Sequence, residues 1–206
     1  MSAAPTLTVY TDYKSPYAYL AKDLTTELAA RVPVRLVWRP YILDIPSYLG
    51  SASVDAAGRV LQEDRNAHQW RRVRYSYMDC RREARKRGLT IRGTQKIWDS
   101  RLAAAGMLHA QAAGEDVFRR YHDRVFERFW QRALDIEDPA VLAGVLAEAG
   151  APDGFADAAP ALLAEVDAIS RAAEADGVFG VPSYVLDGEL FWGREHLPEL
   201  EARLSA

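Results

Sequence analysis

Two stretches carry residue types and spacings that could do chemistry. The first is Thr11-Asp12-Tyr13-Lys14-Ser15-Pro16-Tyr17-Ala18-Tyr19-Leu20. An apolar, β-leaning run, Leu7-Thr8-Val9-Tyr10, precedes it, the pattern breaks over residues 12–15, and a helical pattern runs from Pro16 to about residue 30. Ser15 stands at the N-cap position and Pro16 at the first helical position, where a missing N–H costs nothing. A strand that feeds a helix this way aims a hydroxyl and backbone N–H groups at one point, which carries the positive end of the helix dipole and suits an anion. Taken alone, Ser15 is a helix cap and no more. The second stretch is Gly177-Val178-Phe179-Gly180-Val181-Pro182-Ser183-Tyr184-Val185-Leu186-Asp187-Gly188-Glu189-Leu190-Phe191-Trp192-Gly193. Its Val-Pro step leads into a strand, a two-residue Asp-Gly turn and a second strand. A proline that opens a strand is a place for a cis peptide bond.

In this order the two stretches resemble the thioredoxin superfamily, in its DsbA-like branch with a helical insertion. They are most similar to 2-hydroxychromene-2-carboxylate isomerases and kappa-class glutathione transferases, over residues 6–38 and about 172–204. In the disulfide oxidoreductases of this superfamily a Cys-x-x-Cys motif opens the first helix, and the helix terminus lowers the pKa of the attacking thiol. The positions here are Ser15, Pro16, Tyr17 and Ala18, and Cys80 is the only cysteine. Dithiol exchange is therefore excluded. What remains can stabilise the thiolate of a bound thiol. The resemblance implies glutathione as cofactor, lying across the loop of Val181 and Pro182 with its sulfur beside Ser15 and Pro16. The backbone of Val181 then pairs with its cysteinyl backbone, and Arg194 and Glu195 meet its γ-glutamyl end. Family members tend to carry Asp followed by Arg at that place; this chain has Glu195-His196.

For an isomerase of this kind, the thiolate adds reversibly to a conjugated substrate, a locked bond rotates, and the thiol leaves; in a transferase the adduct is released. The expected function is a glutathione-dependent isomerase or transferase acting on a small aromatic, carboxylated electrophile. The alternative is a DsbA-family protein without dithiol redox activity, either a different small-molecule enzyme or a non-catalytic binding module. Tyr17 is a candidate for the substrate pocket. So are Arg74 and Tyr77, on a basic, aromatic helix over 68–87 that holds eight Lys/Arg and two acids. That helix reads as a solvated face, as a source of arginines that grip a carboxylate bidentately, or as a nucleic-acid surface, which the net charge of −3 and the fold do not favour.

The elements that must position these residues follow from periodicity. Residues 32–38 alternate and are β-branched, so strand, helix, strand predicts a parallel βαβ unit. From about 54 to 176 the pattern is helical, with stretches near 58–87, 94–113 and 115–132, a helix opened by Asp138-Pro139 and stopped by Gly150, and another over 160–175. The expected fold class is α/β, a thioredoxin-like core (βαβ … ββα) with a large all-helical insertion. The core comprises 1–53 and 172–206 and the inserted subdomain 54–171. The loop 39–53 is apolar enough to be a lid. The four histidines show no metal-ligand spacing, and the five tryptophans are expected in the core. With 206 residues, 49% apolar and 27% charged, the composition is that of a soluble globular protein. Residues 1–5 lack a basic segment followed by an apolar run and no stretch is long enough to span a membrane, so a cytoplasmic protein is expected. The resembling families imply a homodimer.

Overall fold

In the computed structural model, residues 4–55 and 57–205 are described; the first three residues, on which the expectation of no signal peptide partly rests, lie outside them. The elements in chain order are β1 (Thr6–Thr11), α1 (Pro16–Arg31), β2 (Arg35–Pro40), α2 (Ile45–Leu49), β3 (Ala52–Val54), β4 (Val60–Glu63) and α3 (Ala67–Lys86). There follow α4 (Arg101–Ala112), α5 (Glu115–Trp130), α6 (Pro139–Ala149), α7 (Phe155–Ala175), β5 (Ser183–Leu186), β6 (Glu189–Trp192) and α8 (Leu197–Leu204). No helix among the described residues is long and apolar enough to cross a membrane.

The chain forms two compact units, residues 1–43 with 164–206, and residues 44–163. The pattern-based divisions lie at 53/54 and 171/172. α7 runs unbroken across the later boundary, so no change of periodicity marks it.

The first unit holds a four-stranded sheet in the order β2-β1-β5-β6. β1 pairs in parallel with β2, from Thr6↔Arg35 to Thr11↔Pro40, and antiparallel with β5, from Leu7↔Leu186 to Tyr10↔Ser183. The interior position of β1 explains its apolar run: Leu7 and Val9 are buried. Asp187 and Gly188 both take positive φ, 51° and 81°, which is what a two-residue hairpin turn with the right twist demands. Beneath the sheet, Thr25 of α1 donates to the carbonyl of Ala21 and lies 2.9 Å from the phenol of Tyr184, which therefore donates to Thr25.

The second unit is helical apart from the β3–β4 hairpin, which helical periodicity did not foresee. Asp55 organises its turn, accepting from the N–H groups of Ala57 and Arg59 at 2.9 Å each. α3 accordingly starts later than the composition suggested. It begins after Asn66, whose side chain accepts from His68 and Gln69 N–H while Gln69 Oε1 accepts from Asn66 N–H, a reciprocal capping box. α6 starts and stops where expected: Asp138 accepts from Ala140 N–H at 2.8 Å, and Gly150 ends it at φ 87°. α4, α5 and α6 pack on one another around Tyr121, Val125, Phe126, Trp130 and Leu142, all fully buried. Gly106 is needed at the closest approach, because the Tyr121 hydroxyl occupies the place of its missing Cβ and donates to the Ala103 carbonyl at 2.9 Å.

Candidate active site

β1 ends at Thr11 and the chain turns through residues 12–15 into α1. Asp12, buried, holds the turn. Its Oδ1 accepts from Lys14 N–H at 3.1 Å, its Oδ2 from Leu43 N–H at 2.8 Å, and its carbonyl from Ser15 N–H at 3.0 Å. The Lys14 ammonium lies 3.5 Å from Oδ2, and both side chains are almost wholly out of solvent. Asp12 and Lys14 went without a role in the sequence reading. Their spacing in a strand-to-helix loop was visible, but burial was not.

Ser15 caps α1 as expected, with an extended backbone (φ −91°, ψ 116°), its Oγ accepting from Ala18 N–H at 3.2 Å and its carbonyl from Tyr19 N–H at 3.1 Å. A hydroxyl whose oxygen accepts from the helix keeps its own proton to donate elsewhere. Ser15 is only 3% exposed, Pro16 and Tyr17 are half-buried, and Pro16 occupies the first helical position.

The Val181-Pro182 peptide bond is cis. Since Tyr10 is opposite Ser183, the next step of the register sets Pro182 level with Thr11, four residues before Ser15. The Pro182 carbonyl accepts from Gly193 N–H at 2.9 Å, which ties this loop to the turn holding Arg194 and Glu195. Unmet polar groups lie at this end of β1 and of β5. Thr11 Oγ1 is buried without a hydrogen-bond partner among the described residues. The N–H and C=O of Val181, a buried residue just outside the strand, likewise have no partner among the described residues. Buried backbone groups are nearly always paired, so a strand-edge position of this kind is one at which a peptide can dock.

Arg194 and Glu195 sit in a single 3-10 turn (Arg194–His196) leading into α8. Gly193 has φ 108°, and a Cβ there would run into the Glu195 carboxylate. The turn packs against α1. Burial raises the Tyr184 phenol well above its ordinary value; its bond to Thr25 opposes this, Glu195 adds to it and Arg194 opposes it.

Of the sequence candidates, Ser15, Pro16, Tyr17, Val181, Pro182, Arg194 and Glu195 therefore all belong to the first unit. Arg74 and Tyr77 belong to the second, where they line one cavity. Three tryptophans depart from the expectation of core positions: Trp192 is 51% exposed, with Phe179 tilted against it at 5.0 Å, and Trp70 and Trp98 are half-buried, Trp70 lining that cavity. Composition does not reveal which face of an element carries a tryptophan. His122 is buried between Phe118 and Phe126, and among the described residues no cluster of His, Cys, Asp and Glu is arranged to hold a metal.

The family profile described as DSBA-like thioredoxin domain matches residues 6–205. A 2-hydroxychromene-2-carboxylate isomerase of Sphingobium xenophagum is 28% identical over 205 residues, covering 97% of each chain. The solved structure of a 2-hydroxychromene-2-carboxylate isomerase superposes with a TM-score of 0.72 at 22% identity, over 97% of this chain and 94% of the other. The cytosolic disulfide reductase DsbM of Pseudomonas aeruginosa, in its structure with GSH, superposes with a TM-score of 0.61 at 19% identity, over 97% of both chains.

Proposed function

The chain belongs to the DSBA-like thioredoxin domain family, and we propose that within it this protein is a glutathione-dependent isomerase of a small aromatic, carboxylated electrophile, with the thiol held at Ser15. The relative named as an isomerase, matched along nearly its whole length, supports the reaction class. The observation that carries the cofactor is the unpaired backbone of Val181 beside the cis Pro182 and the orphaned Thr11 hydroxyl, at the same end of β1 as the capped start of α1. These groups fit a cysteinyl peptide: Val181 would pair with its backbone, Ser15 would face its sulfur, and Glu195 with Arg194 would meet its γ-glutamyl end.

Glutathione supplies a thiolate nucleophile, whose reversible addition to a conjugated double bond lets that bond turn. A free thiol has a pKa near 8.5, so only about a few per cent is ionised at neutral pH. The chain's part is to favour the charged sulfur. The Ser15 hydroxyl, its oxygen already committed to Ala18 N–H, keeps a proton that it would donate to the sulfur. The α1 terminus adds its positive end. A charge-assisted bond contributes about 1.5–3 kcal/mol, or about one to two pKa units of depression. Lys14 and Asp12 neutralise each other and hold the loop that presents Ser15. The missing sulfurs at Ser15 and Ala18 leave no dithiol route.

Thermal unfolding in the presence of glutathione tests the reading. Saturable stabilisation of about 2.7 kcal/mol is expected at a hundredfold excess over Kd. Conversion of 2-hydroxychromene-2-carboxylate should then require glutathione without consuming it. No stabilisation at about 10 mM glutathione, a range in which even weak sites fill, would overturn the proposal.

A further inference from the structure

The second unit contains a cavity that the thiol chemistry does not use. Trp70, Arg74, Tyr77, Arg81 and Arg85 recur at steps of three and four, which returns them to one face of α3. That face walls a cavity of about 470 Å³, closed by β3 and residues 93–97. Small-molecule sites run from about 300 to 1,000 Å³. Arg65, Arg74, Arg81, Arg85 and Lys96 all line it, and no carboxylate does.

The charges are distributed unevenly around the helix. Both acids of α3 serve its other side: Asp79 pairs with Arg82, and Glu83 pairs with Lys86 at 2.7 Å. Lys96 pairs with Glu137. Arg65, Arg74, Arg81 and Arg85 have no ion-pair partner among the described residues. A merely solvated basic helix would spread its acids among its cations. Instead the cavity face collects like charges: Asp64 and Glu63 act on Arg65 from a distance but form no ion pair with it.

The guanidinium groups of Arg65 and Arg81 are also held in place. Arg65 Nε donates to the carbonyls of Leu49 and Gly50 at 3.0 and 3.3 Å, and its guanidinium lies 5.0 Å over the Trp70 ring. Arg74 lies 5.8 Å from the same ring. Arg81 Nε donates to the Ile91 carbonyl at 3.2 Å and its guanidinium lies 5.5 Å over Tyr77, whose hydroxyl meets Thr94 Oγ1 at 3.2 Å. Anchoring at Nε leaves the terminal N–H groups of Arg65 and Arg81 to grip a planar anion. Burial pulls the Arg65 guanidinium below its ordinary pKa, a cost that a bound anion would relieve. Val54, Met78 and Ile97 add apolar lining. Arg74 and Arg81 are seven residues apart, or about 10 Å along the helix.

We propose that the cavity of the second unit binds an elongated aromatic dianion, one carboxylate between Arg65 and Arg74 and the other between Arg81 and Arg85. The proposal does not depend on glutathione binding, because every lining residue lies in 44–163.

The test is titration of the full chain, without glutathione, by 4,4′-biphenyldicarboxylate and by biphenyl-4-carboxylate, followed by calorimetry and tryptophan fluorescence. The dianion should bind at least about tenfold more tightly than the monoanion, the worth of one charge-assisted grip, and more weakly as salt rises. Arg74→Gln and Arg85→Gln should each weaken the dianion about tenfold with an unchanged melting temperature, since neither arginine has a hydrogen bond or ion pair to lose. Arg82→Gln, on the side paired with Asp79, should leave the affinity unchanged. Equal binding of the two probes, no binding of the dianion at about 1 mM, or equal loss in all three variants would overturn the proposal.

Discussion

Replacing Ser15 separates a helix cap from a thiolate donor, because the same side chain is asked to do both. Its oxygen accepts from Ala18 N–H at 3.2 Å, and loss of such a cap costs about 1 kcal/mol, or about 2–4 °C in melting temperature for a chain of this size. Its proton, if it faces a bound thiolate, contributes about 1.5–3 kcal/mol, which is one to two pKa units; at pH 7 this raises the ionised fraction of a thiol of pKa about 8.5, and kcat/KM with it, by about 8–25-fold. Ser15→Ala should lose both. Ser15→Asp keeps a good cap but offers only acceptors and a like charge, so its melting temperature should stay with the wild type while its activity falls at least as far as that of Ser15→Ala. Ser15→Thr keeps donor and cap and should recover most of each. The direct assay is ultraviolet titration of the thiolate of bound glutathione. In the wild type its midpoint should lie about one to two units below 8.5, and in Ser15→Ala it should return most of the way. If glutathione binds and its midpoint is the same in both proteins, Ser15 is a cap alone.

Three further outcomes follow from the geometry. Asp12→Ala leaves the buried Lys14 ammonium without its carboxylate and two N–H groups without their acceptor; it should destabilise by about 3–5 kcal/mol, read by denaturant unfolding, and a loss under 1 kcal/mol would contradict the buried pair. Gly106→Ala should destabilise by about 1–3 kcal/mol although alanine is the better helix former, because its Cβ meets the Tyr121 hydroxyl; adding Tyr121→Phe should recover part of the loss. Burial raises both Tyr121 and Tyr184 above the ordinary 10.0. The unfolded chain therefore releases these protons first, and stability, fully present below pH 10, should fall as pH rises beyond it, by about 1.4 kcal/mol per pH unit for each tyrosine; chemical denaturation midpoints that stay flat above pH 10 would count against this.

Much of the fold was legible because its signals are local. Ser15-Pro16 opens α1, Asp138-Pro139 opens α6, Gly150 closes it, and Asp187-Gly188 turns the β5–β6 hairpin, each through backbone geometry that a few residues impose on themselves. The absence of a second cysteine likewise ruled out dithiol exchange from composition alone. The β3–β4 hairpin was not legible, because its strands are short and mostly exposed and its turn is organised by Asp55 rather than by a glycine dipeptide. Nor was the division inside α7, where helical periodicity is the same on both sides.

The sequence by itself determined the cap at the mouth of α1, the parallel β1–α1–β2 unit and the β5–β6 hairpin, since capping, turns and alternation act over three or four positions; the pairing of β1 with β5 came from the tertiary structure. Only the tertiary structure decided that Asp12 and Lys14 are a buried pair, that Ser183, next to Pro182, pairs with Tyr10, and that Trp70, Arg74, Tyr77, Arg81 and Arg85 line one cavity. Burial and the pairing of charges depend on what is brought near from distant positions, and no local pattern carries that information.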